Sequence, residues 1–207
     1  MAANPAVDTN RAAVRTLIVS DLHLGLRSGI DVLRRPEPRE RLLAAIETVD
    51  RLVLLGDTLE LGSWTARSPD PIASELLSDI GARLGGERSV VVVPGNHDAR
   101  LVRDWALARG RALGIADPVD PATTPALAAL TAWLAPARVS VSYPGAWLDD
   151  RVWATHGHYL DRHLIPESAF GWRRSALGFR APGSTSEAID YELARRAHAD
   201  QDLPGAR

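Results

Sequence analysis

Short apolar runs recur along the chain, and a cluster of polar residues directly follows each of them. Residues 15–20, 51–55 and 89–93 form three such runs. They are too short for typical helices and too continuous for strands with one face in water, so they predict buried parallel strands. In sheets of this kind, ligands bind at the carboxyl ends of the strands. The polar residues that follow the runs are therefore the first candidates for function.

Three polar signatures occupy those strand ends: Asp21-Leu22-His23, Gly56-Asp57 and Gly95-Asn96-His97-Asp98. The intervals between them are long enough for a strand, a crossover and the next strand, which together need about 30 residues. We therefore expect the signatures to meet at one edge of the sheet.

A fourth signature, His156-Gly157-His158, follows the run 151–155. Taken singly, an Asp, Asn or Gly at a strand end is explained by helix capping or turn formation. Those roles do not call for the additional histidines at 23, 97 and 156. The combined donors are oxygen and imidazole nitrogen, a set that suits manganese, iron or zinc.

With these signatures the chain resembles the calcineurin-like metallophosphoesterase superfamily. The family pattern is Asp-x-His, Gly-Asp, Gly-Asn-His followed by Asp or Glu, a lone His, and then Gly-His-x-His. The resemblance implies a dinuclear phosphoric ester hydrolase with two divalent ions, manganese, iron or zinc. It implies the following ligands: Asp21 and His23 for the first metal, Asp57 as a bridge, and Asn96 and His156 for the second metal.

The same resemblance assigns catalytic roles to His97 and Asp98. His97 would be the general acid beside the scissile phosphate, and Asp98 would hold its imidazole. Glu60, three residues after Asp57, is interpreted as a helix or loop charge rather than a ligand. No Gly-His-x-His follows His156. Either the natural protein continues past Arg207, or the site lacks two imidazole ligands.

The implied reaction is hydrolysis of a small phosphomonoester, phosphodiester or pyrophosphate by metal-activated hydroxide. Residues 155–160 are similar to the His-Gly-Asp stretch of UDP-2,3-diacylglucosamine pyrophosphatases, with His158 in place of the acidic residue. His158, Arg27 and Arg162 are candidate substrate-binding residues. The alternative, motivated by the missing histidines, is a binding or scaffold protein of the same fold with weak or no catalysis.

The predicted fold is an α/β layered sandwich of the metallophosphoesterase type, with mostly parallel central strands flanked by helices. The missing motif leaves open whether the last strands are present. We expect a flexible segment at 1–14 and one domain at 15–207, with a helical cap-like insertion at about 104–141. The remaining elements are predicted as follows: helices at 38–49, 70–85, 98–109 and 125–136, a linker at 117–125, a strand at 138–142 and a helix at 184–201.

Composition narrows the partners. The chain has no cysteine, which excludes disulfides and thiolate metal sites, and all 24 basic residues are arginine. A net charge of −2 and a pI near 6.3 argue against a long nucleic acid and favour a small phosphorylated substrate. No apolar stretch reaches the ~20 residues of a transmembrane helix, and we expect a cytoplasmic protein. The oligomeric state stays open.

Overall fold

A five-stranded sheet organises the part of the chain that the computed structural model describes, which is residues 14–26, 31–61, 71–109 and 112–157. The strand order is β1-β2-β3-β5-β4. All neighbours are parallel except β4, which pairs antiparallel with β5 at one edge. This confirms the predicted mostly parallel sheet. The strands are β1 (Thr16–Val19), β2 (Arg51–Leu55), β3 (Ser89–Val93), β4 (Asp117–Val119) and β5 (Arg138–Tyr143).

Four α-helices of the described residues connect or flank these strands. Helices α1 and α4 begin at prolines, which suit the first helical turn because its N–H groups have no partner within the helix. The Thr124 side chain caps α4 by accepting a hydrogen bond from the N–H of Leu127. The helices are α1 (Pro36–Glu47), α2 (Pro71–Leu84), α3 (Arg103–Arg109) and α4 (Pro125–Trp133).

The main core lies between the sheet and the helices. Leu76, Leu127 and Leu130 are fully buried in it, together with Leu52 and Val90 of the sheet. Residues 125–136 thus supply core side chains, as their helical spacing predicts. Burial on this scale contributes about 1.5–3 kcal/mol for each large aliphatic side chain before entropy is counted.

A short hairpin covers part of the sheet's other side. It consists of β6 (Gly145–Trp147) and β7 (Trp153–Thr155), which pair antiparallel. Ala146 and Ala154 pack there with Val53 and Val93 in a second, smaller apolar cluster. Strand β7 leads directly to His156, so this hairpin brings the fourth signature to the sheet.

Two predicted elements differ from the structure. The helix expected from Asp98 begins at Arg103, after a short 3₁₀ turn at Ala99–Leu101, because the Asp98 carboxylate faces the loop backbone instead of starting a helix. The linker predicted at 117–125 contains β4, an edge strand that accommodates Pro118.

The structure describes only part of the predicted division of the chain into a flexible segment, a domain and a cap-like insertion. Residues 104–141 include β4 and most of β5, which belong to the central sheet, so the role of this segment as a cap stays a prediction. Of the predicted flexible segment 1–14, only residue 14 is described, and the helix predicted at 184–201 lies outside the described residues. None of the helices that the structure describes has the length and apolar character needed to cross a membrane.

Candidate metal centre

The loops after β1 and β2 form the floor of the site and stay paired beyond the strands. The N–H of Asp21 donates to the carbonyl of Gly56 at 3.1 Å, and the N–H of His23 donates to that of Asp57 at 2.8 Å. Further along, the N–H of Glu60 donates to the carbonyl of Leu24 at 3.0 Å. The parallel register of the sheet therefore continues into the loops and fixes their side chains relative to one another.

Three residues of this floor have an unusual backbone conformation. Asp21, His23 and Asp57 have positive φ angles of 58°, 44° and 52°. This left-handed region costs side-chain-bearing residues roughly 1–3 kcal/mol, and such outliers concentrate at functional sites. All three are ligands that the sequence resemblance implies, so the strain falls on the residues with candidate chemistry.

Asp57 lies at the centre of the site and is only 3% exposed. Its Oδ2 is 3.1 Å from Nε2 of His156 and 3.9 Å from Nε2 of His23. Its Oδ1 accepts a hydrogen bond of 2.9 Å from the backbone N–H of His97. One carboxylate thus contacts all three of the other strand-end signatures.

The contact between Asp57 and His156 shifts the pKa values of both side chains. Burial alone would raise the pKa of Asp57, but the hydrogen bond from His156, the backbone N–H of His97 and the charges of both histidines outweigh it and lower that pKa. The same hydrogen bond to Asp57 raises the pKa of His156 to about 9 against the opposing effect of its burial. Perturbed groups paired in this way are typical of functional sites.

The imidazoles are anchored through their Nδ1 atoms. Nδ1 of His156 lies 2.9 Å from the carbonyl oxygen of Leu55, to which it donates. Nδ1 of His23 lies 3.1 Å from Oε2 of Glu60, and Nδ1 of His97 lies 2.9 Å from the same oxygen. Glu60 itself is buried. Anchors of this kind fix the orientation of metal-binding histidines and leave Nε2 available.

These contacts correct two interpretations of the sequence. Glu60, interpreted from the sequence as a helix or loop charge, is buried in its loop, and its carboxylate contacts both His23 and His97. The resemblance implies that Asp98 holds the His97 imidazole, but the carboxylate that contacts this ring is that of Glu60. Asp98 is fully buried and accepts hydrogen bonds from the N–H groups of Thr58 at 2.8 Å and Gly95 at 2.5 Å. It ties the loop after β2 to the loop after β3.

Burial determines the electrostatic state of Asp98. Together with the negative charge of Asp57, burial raises the pKa of Asp98 to about 6, although three backbone N–H groups oppose the shift. The N–H of Leu59 at 3.4 Å is the third of these donors. Asp98 therefore acts on the site through the backbone that carries its neighbours.

Glycine is required beside Asp57 for space. A Cβ at Gly95 would meet the carboxylate of Asp57, its backbone nitrogen at 2.6 Å and Cδ2 of His156 at 2.8 Å. A Cβ at Gly56, where φ is +83°, would clash with the His156 ring. The two glycines of the strand-end signatures thus let the Asp57 and His156 side chains approach the backbone.

We expect Gly95→Ala to disturb the centre without removing any donor atom. The added methyl group must displace Asp57 and His156, which should lower the free energy of unfolding by about 1–3 kcal/mol, as overpacking does, and weaken zinc binding. Urea denaturation and zinc titration measure the two effects. Gly86→Ala is the matched control, since a Cβ there meets only a carbonyl oxygen at 3.8 Å. Equal zinc affinity in the two variants would contradict this packing argument.

The donor set fits divalent cations. One group of ligand atoms comes from His23, Asp57 and His97, another from Asp21, Asp57 and His156, and within each group all atoms lie within 4.8 Å of one another. Asp57 is common to both groups. Carboxylate oxygen with imidazole nitrogen is the chemistry of manganese, iron and zinc sites. His97 belongs to the first of these groups, although the sequence resemblance implies no role for it as a ligand.

The remaining predicted residues divide into two sets. Asn96 is half-buried in the loop between Gly95 and His97, and its assignment as a ligand stays a prediction. The candidate substrate-binding residues His158, Arg27 and Arg162 lie outside the described residues.

A mostly parallel sheet whose strand ends bring carboxylates and imidazoles together has the architecture of a metal-dependent phosphoesterase. The family model described as calcineurin-like phosphoesterase matches residues 14–198, and the chain belongs to this family. The resemblance at the superfamily level is thereby confirmed, while the narrower similarity to UDP-2,3-diacylglucosamine pyrophosphatases stays a prediction. No curated protein matches the chain significantly.

Proposed function

We propose that the chain hydrolyses a small phosphomonoester, phosphodiester or pyrophosphate at a centre of two divalent cations, manganese, iron or zinc. The observation that carries this proposal is the position of Asp57, whose carboxylate belongs to both groups of candidate ligands. A shared carboxylate is what a two-metal site requires to hold its ions a few ångströms apart.

In the proposed arrangement the ligands are those of the family pattern. Asp57 serves both ions, and the other ligands keep the positions that the resemblance gives them. The Nδ1 contacts support this assignment, because His23 and His156 each direct Nε2 toward Asp57. The full set is Asp21 and His23 on one side, and Asn96 and His156 on the other.

When bound, the cations would lower the pKa of water toward neutrality, so that hydroxide is available to attack phosphorus. The chain's own contribution is a proton. His97, held at Nδ1 by Glu60 and at its backbone N–H by Asp57, would give the proton on Nε2 to the leaving oxygen. One P–O bond forms to the attacking oxygen, the P–O bond to the leaving group breaks, and the leaving group departs protonated.

The test is metal-dependent turnover by the purified chain. After chelator treatment, the protein is supplied separately with Mn²⁺, Fe²⁺ or Zn²⁺ and assayed on p-nitrophenyl phosphate, bis-p-nitrophenyl phosphate and a nucleotide-sugar pyrophosphate. We expect at least one metal to restore hydrolysis of at least one of these substrate classes. Two tightly bound ions without hydrolysis of any substrate would favour the binding or scaffold alternative and contradict the proposal.

A further inference from the structure

The Glu60 carboxylate contacts the imidazoles of both His23 and His97. Its two oxygens lie 2.9 and 3.1 Å from Nδ1 of His97, and Oε2 is also 3.1 Å from Nδ1 of His23. The two rings meet edge to face with centroids 4.7 Å apart. One buried acceptor group therefore serves two imidazoles, one a candidate ligand and the other a candidate proton donor.

The chemistry of the groups fixes where the hydrogens lie. An ionised carboxylate only accepts hydrogen bonds, and its two oxygens offer about four acceptor positions. Both Nδ1 atoms must then be donors, which leaves Nε2 of each neutral ring with its lone pair. In His23 the nitrogen that carries this lone pair, Nε2, is 3.9 Å from Oδ2 of Asp57. The position of Glu60 is itself fixed, because its backbone N–H donates to the carbonyl of Leu24, the residue after His23.

We infer that Glu60 is a positioning residue that holds His23 and His97 together in the form with hydrogen on Nδ1. This inference rests on the proposed function and deepens it, because it makes metal binding at His23 and the orientation of His97 depend on one side chain. Removing the second acceptor oxygen should disturb one of the two rings even when the shape of the side chain is kept.

Glu60→Gln is the variant that isolates this role. Glutamine has nearly the same shape but offers one acceptor oxygen and one NH₂ donor group. Because Nδ1 of His97 lies within 3.1 Å of both Glu60 oxygens, the NH₂ group faces a ring Nδ1–H in either orientation of the amide. One ring must then move its hydrogen to Nε2 or lose its partner. The matched control is Asp31→Asn, another buried carboxylate, which bonds Arg34 and the N–H of Gly25 rather than a histidine ring.

The primary measurement is the ring ¹⁵N spectrum of the histidines in alkaline buffer, with no substrate present. In the wild type we expect hydrogen on Nδ1 of both His23 and His97. In Glu60→Gln, one of these two rings should lose it, while His156 keeps its Nδ1–H because that group donates to Leu55. Asp31→Asn should leave all three rings unchanged. The wild-type spectrum alone tests the inference should Glu60→Gln fail to fold, since hydrogen on Nε2 in place of Nδ1 in either ring would overturn it.

Zinc titration provides the second readout. Loss of an outer partner of a metal-binding histidine typically weakens metal binding by about 10- to 100-fold, and we expect a loss of this size in Glu60→Gln and none in Asp31→Asn. Unchanged ring spectra and unchanged zinc affinity in Glu60→Gln would overturn the inference. So would an equal change at His156, which would indicate general loosening. Neither readout uses turnover, so a wild-type chain that fails to hydrolyse phosphoesters would count against the proposed function only.

Discussion

Asp57→Asn is expected to lose metal at the whole centre and, with it, activity. Asp57 is the one residue common to both groups of candidate ligands, and it is nearly inaccessible to solvent. Asparagine keeps the shape but lacks the negative charge that attracts a cation, and its NH₂ group cannot serve as a ligand. Because even an outer partner is worth about 10- to 100-fold in metal affinity, we expect this direct ligand to cost at least about 100-fold.

Elemental analysis after metal loading and dialysis measures this effect. The wild type, Asp57→Asn and Asp31→Asn are compared, with circular dichroism to verify that each is folded. Asp31 is a suitable control because its carboxylate is also buried but bonds an arginine side chain and a backbone N–H outside the centre. Equal metal content in folded Asp57→Asn and wild type would contradict the shared position of Asp57. Loss of metal in both variants would indicate a general effect of neutralising a buried carboxylate.

The strands and the site loops could be predicted from local sequence because two strong signals coincide in them. Runs of five residues, the last four of them apolar, predict β2 and β3 with the bounds that the structure has, since such runs are typical of buried strands in a parallel sheet. The polar residues after them meet because parallel strands end at the same edge. Asp57 and His156 are therefore in contact although 99 positions separate them in the chain.

Glu60 could not be assigned by the same local reasoning. Its contacts depend on the pairing of its backbone with Leu24, which extends the register of β1 and β2 beyond the strands. One signal does exist, because Glu60 lies between Leu59 and Leu61, and all three are buried. A carboxylate between two buried leucines needs buried partners, since an unpaired charge in the interior is very costly.

Asp98 illustrates a different error, in which the resemblance implied a contact with the His97 imidazole that the structure does not show. The residue next to His97 directs its carboxylate into the protein, where it satisfies the N–H groups of Thr58, Leu59 and Gly95. Loop backbone that is buried must find acceptors, and a buried carboxylate supplies two oxygens for them. Similarly, the segment around Pro118 reads as a linker by composition, and only its place at the edge of the sheet allows it to be a strand.

His97→Asn is expected to reduce turnover in a way that depends on the leaving group. In the proposed reaction, Nε2 of His97 gives a proton to the departing oxygen, and general acid catalysis of this kind contributes about 100- to 10,000-fold. Alkyl phosphodiesters have poor leaving groups and should lose at least about 100-fold in kcat. Aryl phosphodiesters such as bis-p-nitrophenyl phosphate leave readily without protonation and should lose much less. The ratio of the two kcat losses, measured with bound metal quantified in both proteins, isolates proton donation.

Because His97 also belongs to a group of candidate ligands, a fall in metal content would instead assign it to metal binding. Equal kcat losses on both substrates, with metal retained, would remove His97 from the role of proton donor and leave it the role of stabilising charge on the phosphoryl group.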